Sequence, residues 1–277
     1  MVNKCISLLF VLLSCIGVFT VVQENNALES LNYTDEECVL QNSVFEDGER
    51  LTYKAYYNWK FIWIPAGEAV FTVREEEDFY HFEVVGKTYP SYNSFFKVDD
   101  HYYSKVDKET LQPVSFRRRI EEGSYYRYDS IAFDRENTVL KEYIGKSIDN
   151  TQEHEFSSDV CVQDLVSVLY HLRNRNTEKL SEGDKLPLKI FFDKEFYQPS
   201  ITFEGYKKKV IKDLGTYETL HIRPELIAGE VFEEGTYMDV WVSADNNHIP
   251  LLLESPVSIG SVKVVLKEYE GLKYGLE

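Results

Sequence analysis

The stretch Gly48 to Glu68, GERLTYKAYYNWKFIWIPAGE, constrains this chain more than any other. Leu51, Tyr53, Ala55, Tyr57 and Trp59 fall on one parity, and Thr52, Lys54, Tyr56 and Asn58 fall on the other. Successive side chains of a strand point to opposite faces, so this alternation specifies a long strand with one apolar, aromatic face. Pro65-Ala66-Gly67 supplies a bend, and Ala69, Phe71 and Val73 resume the same parity. After the charged turn 75–78, Tyr80, Phe82 and Val84 repeat it. Further alternating segments at 101–106, 113–120, 125–133 and 138–144 are separated by short turns rich in Asp, Asn, Gly and Pro. Strands joined by such short connections pair antiparallel.

The β pattern breaks once. From Ser158 the apolar spacing becomes helical, with Cys161, Leu165, Val168 and Leu172 on one stripe and Leu169 widening it. Ser157, Ser158 and Asp159 are good N-caps, and Arg173 and Arg175 suit a helix C-terminus. The spacing predicts one amphipathic helix near 159–173 lying against the sheet. Alternation then resumes to the end of the chain. No Gly/Ser/Pro linker separates the two halves, so 47–277 reads as a single all-β domain. A long meander has unpaired edges unless it curls. The predicted architecture is therefore a bent antiparallel sheet forming a barrel or half-barrel with the helix plugging one end. Two stacked small β domains are the alternative.

Lys4, the apolar run Cys5 to Val22 and the polar exit Gln23-Glu24-Asn25-Asn26 have the layout of a signal peptide, 1–22. An uncleaved anchor and a lipid-modified Cys15, after Leu12-Leu13-Ser14, are the alternatives. Residues 23–46 are polar and read as a flexible tether. The expected location is the periplasm or the exterior. The formal charge of −17 disfavours nucleic acid or an anionic lipid surface as a partner. Cys38 and Cys161 are the two cysteines beyond the leader, and an exported chain with two cysteines suggests one disulfide between them. Two unrelated thiols are the other possibility.

Catalytic signals are nearly absent. None of the six histidines has HExxH-type spacing, and there is no CxxC, no GxSxG elbow and no phosphate-cradling Gly loop. No cofactor or metal is expected, and the chain reads as a non-enzyme; a hydrolase with an unrecognised site is the weakest reading. Two constellations bear on binding. Arg118 and Asp129 fall on the apolar parity of neighbouring strands, so a charge pair could sit inside and fix a polar head group, unless those faces meet solvent. Tyr53, Tyr57, Trp59, Phe71 and Phe82 share the apolar parity of three consecutive strands. One helix cannot cover the apolar face of so large a sheet, so these five are the candidate walls of an apolar cavity; a solid core would look the same.

Several motifs together carry a resemblance: Phe45, Gly48, Glu49, Leu51 and Tyr53 (F-x-x-GE-x-L-x-Y), AGE at 66–68, QDLVSVLYHLR at 163–173, EGD at 182–184, DVWVSADNNHIPLLLE at 239–254 and GSVKVVL at 260–266. This set resembles the bacterial exported family called domain of unknown function 3108, and YYNWKFIW is similar to its Bacteroides-type members. The resemblance spans roughly 45–270. It implies a periplasmic or envelope β protein and brings no catalytic residues. The functional expectation is a non-enzymatic binding protein for a lipid-like or other apolar ligand. A structural or assembly protein acting on another envelope protein is the alternative.

Overall fold

The computed structural model describes residues 38–277 except 60–61, 93, 95, 159–160, 227–234 and 258–259. The expected leader, Cys15 and residues 23–37 lie outside the described residues, as does the side chain of Trp59.

The strand spacing read from the sequence yields one 14-stranded antiparallel sheet with two arms. The first arm is a meander: β1 (Arg50–Trp59), β2 (Ile62–Glu75), β3 (Phe79–Thr88), β4 (Asp99–Asp107), β5 (Pro113–Glu122), β6 (Tyr125–Asp134), β7 (Val139–Ser147) and β8 (Asn150–Ser157). Helix α1 (Ser167–Arg173) follows. The second arm contains β9 (Lys185–Pro187), β12 (Ser200–Ile211), β13 (Gly215–Pro224), β14 (Asp239–Ser243), β15 (Pro250–Pro256) and β16 (Ser261–Glu270). Between β9 and β12, β10 (Ile190–Phe192) and β11 (Glu195–Tyr197) form a separate hairpin. The arms join where β1 pairs with β16, so the sheet runs from β8 through β1 and β16 to β9. Turn chemistry enforces this at two glycines. A Cβ on Gly145 would lie 1.8 Å from the Asn150 carbonyl oxygen in the β7–β8 hairpin. Gly260 has φ +91°, and a Cβ there would meet the Asn58 oxygen at 2.3 Å as the chain enters β16.

The period-2 reading places the inner face correctly. Leu51, Tyr53 and Ala55 of β1, Phe82 and Val84 of β3, and Tyr102 and Val106 of β4 are all buried. The strand β8 and the β10–β11 hairpin are not apparent as separate elements in the alternation. NTQEHEFS has one large apolar residue, Phe156, and its exposed polar side chains leave an edge strand guarded by charge.

Two expectations need correction. The helix is shorter than the apolar spacing suggests, and among the described residues it starts at Ser167. The preceding backbone has other partners: Gln163 forms a parallel bridge to Ile190, with its N–H donating to the Lys189 oxygen at 2.9 Å. Asp164 then turns the chain, its Oδ1 accepting from the N–H groups of Val166 (2.8 Å) and Ser167 (2.9 Å). Residues 38–46 are also no tether. Phe45 is fully buried, edge-on to Tyr80, Phe82 and Tyr170. Cys38 is bonded to Cys161, with Cα atoms 5.1 Å apart. Buried Val44 and Phe45, the cross-link and hydrogen bonds such as that from Gln112 Nε2 to the Cys38 carbonyl order a segment whose composition alone reads as polar coil.

Candidate functional site

The interior differs between the arms. Under the first arm, α1 and the β10–β11 hairpin fill the concave face. Phe82 stacks on Tyr170 at 3.7 Å between ring centroids, and Phe191 packs against Phe156 at 5.0 Å. The hairpin turns through Asp193 and Lys194, at φ 49° and 69°, the left-handed pair that a two-residue turn requires. Its tip meets charge. Arg118 and Asp129 are directly opposed across β5 and β6, both buried and ion-paired. Arg127 Nε donates to Asp129 at 2.9 Å and its guanidinium also pairs with Asp193. The Lys194 N–H donates to Glu142 at 2.9 Å. Burial, reinforced by Asp129 and Asp193, pushes the Glu142 carboxyl up to about 7. Nearby, burial and Glu122 push Asp100 up to about 8. Arg118 lies over the Phe192 ring at 4.1 Å. Arg118 and Asp129 thus hold the chain's own hairpin.

Under the second arm there is open space. A cavity of about 210 Å³ lies between α1 and strands β12–β15. The helix contributes Val168, Leu169 and Leu172, and the turn before it Leu165; the sheet contributes Ile201 and Phe203 of β12, Leu220 and Ile222 of β13, Val240 and Val242 of β14, and Leu253 of β15. Leu186, Leu188 and Ile190 close another side. The helical stripe predicted to dock on the sheet therefore lines a void. The polar exceptions in the wall are Arg173, Thr177, Glu225 and His248.

A second, smaller space of about 50 Å³ adjoins it, with Arg173, Pro250 and Leu253 common to both. Leu51, Tyr53, Phe71 and Tyr170 complete its wall. Arg173 is fully engaged there. It forms a two-pronged pair with Glu49, at 2.6 and 2.8 Å, and its Nε donates to the Asn247 carbonyl at 3.1 Å. His248 Nδ1 donates to the carbonyl of Arg173 at 2.7 Å, capping the end of α1. Tyr53 donates its hydroxyl to the Pro250 carbonyl at 2.9 Å.

The candidate residues are thus distributed. Tyr53 and Phe71 line the smaller chamber, with ring centroids 5.3 Å apart. Phe82 has no exposed surface and belongs to packed core. Tyr57 is half-buried beside Gly260, away from both chambers. The walls of the main cavity are mostly aliphatic and come from α1 and the other arm. Glu49, Asn247 and His248 were visible only as parts of the motifs that carry the family resemblance, and Arg173 also as a cation at a helix C-terminus. The signal that could have found them is an arginine closing an otherwise apolar helical stripe, which demands a buried acid.

Among the described residues no group of three or more His, Cys, Asp and Glu side chains could hold a metal ion, and no helix is long and apolar enough to cross a membrane. No curated protein sequence matches the chain. Among solved structures, a β-barrel-like protein of domain of unknown function 1849 from Brucella abortus is similar in fold, with a TM-score of 0.58 at 9% identity, covering 82% of this chain and 99% of that one. A protein described as exported, with a YmcC-like fold, from Bacteroides fragilis aligns over 84% of this chain and 99% of its own, at 10% identity and a TM-score of 0.33. A protein described as a lipoprotein from Parabacteroides distasonis covers the same shares at 11% identity and 0.35. The sequence itself is more decisive: residues 52–267 match a family described as "Protein of unknown function (DUF3108)", and the chain belongs to that family.

Proposed function

We propose that this protein is an exported, non-enzymatic envelope protein that binds a lipid-like ligand with one apolar chain inside the second arm. The observation carrying the reading is the cavity of about 210 Å³ walled by Leu, Ile and Val. One water needs only about 10–15 Å³ of such space, and apolar cavities of this order stay dry and accept apolar molecules. The apolar run before Gln23 supports export.

The test is titration of the full chain with a fluorescent alkyl probe. Saturable one-to-one binding is expected. Val240→Phe, which puts a ring into the cavity, weakens it, and Tyr57→Ala, away from both chambers, leaves it unchanged. No saturable binding, with the protein folded, ends this reading and favours an assembly role through protein–protein contacts.

A further inference from the structure

The connections of an antiparallel sheet alternate between its two ends. Here β1–β2, β3–β4, β5–β6 and β7–β8 all turn at one end, and because β16 pairs antiparallel with β1, β13–β14 and β15–β16 turn there too. The first arm treats its two ends differently. At the far end its connections, 76–78, 108–112 and 135–138, carry Glu76, Glu77, Asp78, Glu109 and Glu136 against Lys108 and Arg135. At the near end its connections, 60–61, 89–98, 123–124 and 148–149, carry only Lys60, Lys97 and Asp149. Apolar side chains stand out there instead. Ile62 is 64% exposed and Ile148 65%, and Trp63, Tyr125 and Tyr126 are exposed as well. Ile62 and Trp63 open β2, Tyr125 and Tyr126 open β6, and Ile148 lies between β7 and β8. The main cavity reaches the same end, where Pro199, Pro224, Leu226 and Met238 line it.

We infer that this end is a membrane-contact surface, whose hairpin tips enter the interface of a zwitterionic lipid bilayer and bring the end of the cavity up to it. The contact stands on the tips; its purpose, access of an apolar chain to the cavity, rests on the apolar-ligand reading above. Three observations select a bilayer over a protein partner. The exposed residues sit on three separate hairpins, whereas a protein interface is built round a contiguous apolar core. A fluid surface accepts scattered tips. Trp and Tyr pair an apolar body with a polar edge and collect at membrane–water interfaces. The charges fit an uncharged surface: Lys97 is paired with Glu121 at 3.0 Å, and Lys263, over the Trp63 ring, with Glu254 at 2.7 Å. These cations are matched and the net charge is −17, so anionic lipid is not recruited, and the acidic turns point the far end away.

The experiment is flotation of the exported form, recovered without residues 1–22, with phosphatidylcholine vesicles and with vesicles containing phosphatidylglycerol. The parent is expected to float with phosphatidylcholine and no better with the anionic mixture. Ile62→Ser with Trp63→Ser, Tyr125→Ser with Tyr126→Ser, and Ile148→Ser test the three tips separately, so the loss of one variant to misfolding leaves two. The first two pairs should each lower vesicle partitioning at least fivefold, and Ile148→Ser about threefold. Val210→Ser, equally exposed but near the far end of β12, should stay within twofold, as should Val240→Phe inside the cavity. A parent that stays unfloated, tip variants that float like the parent, or stronger flotation with anionic lipid each overturn the inference. The first of these, with tip variants that still bind the alkyl probe, leaves the apolar site standing and assigns the tips to a protein partner. Flotation without saturable probe binding removes the apolar-ligand reading and leaves the membrane contact.

Discussion

The two arms share one sheet and one helix yet solve the same packing problem differently. The first arm brings aromatic rings to its concave face and fills the remaining space with its own chain, through Phe45, Tyr170 and the β10–β11 hairpin. The second brings mainly branched aliphatic side chains, which among the described residues leave a cavity between sheet and helix. Interiors are normally packed to crystal-like density. The open space is unequal between the arms: the cavity of about 210 Å³ lies under the second, and only the chamber of about 50 Å³ reaches Leu51, Tyr53 and Phe71 of the first.

The largest effect should come from the ion pair at the boundary. Arg173→Leu leaves Glu49 buried without its partner, at a cost of about 3–5 kcal/mol. Urea unfolding measures it, and a loss below about 1 kcal/mol would mean the boundary is wetter than described. Core truncation sharpens the contrast between the arms. Phe82→Ala should cost about 3–5 kcal/mol, whereas Leu253→Ala, which only enlarges an existing void, should cost nearer 2. Enlargement should reverse the order: Val84→Phe strains a filled core by about 1–3 kcal/mol, and Val240→Phe is accommodated. Equal costs in the two arms would break the comparison.

Reduction of the Cys38–Cys161 bond, which spans 123 residues, should destabilise the chain by about 2–4 kcal/mol, as read by melting with and without reductant. It should do so by loosening the first arm, where Phe45 is anchored. The smallest expected effect is a pH dependence. Glu142 titrates at about 7 in the fold, above its unfolded value, so the folded state binds the extra proton. Stability from this group is complete below the unfolded pKa and is lost as pH rises through about 7. Glu142→Gln should flatten the decline between about pH 5 and 7, because the amide oxygen can still accept from Lys194. An unchanged slope would place the titration elsewhere in the network.

Alternation in the sequence made the sheet, its antiparallel pairing and the inner face of β1–β3 legible, because the period of a strand leaves a direct mark on side-chain chemistry. Parity also brought Arg118 and Asp129 to the inner faces of neighbouring strands, and the two cysteines beyond the leader suggested their bond. The cavity was legible only as a mismatch between one helix and a large sheet. Its place was not, since Leu220, Val240 and Leu253 look the same facing a void as facing a neighbour. Large aromatic rings drew attention to the first arm, yet a bulky ring such as Phe82 is better at filling space than at leaving it. The packing of residues 38–46 was equally hidden, for it depends on a few long-range contacts and one cross-link rather than on a pattern. The start of α1 was obscured because Leu165 continues the helical spacing while its neighbours bond to β10.

The seam between β1 and β16 has a kinetic consequence. Each arm is built from sequence neighbours, but the seam pairs Arg50 with Glu270. Pairings between residues so distant in the chain form slowly, and none of this one can form before β16 has been made. Until then β1 and β16 are open strand edges with apolar inner faces, Leu51 and Tyr53 on one and Val262 and Val264 on the other. A second copy offers the same hydrogen bonds. The disulfide closes a loop within 38–161 and does not tie the two edges together. Refolding at high concentration should therefore yield dimers that have exchanged arms across the seam, each bearing two complete copies of the interior.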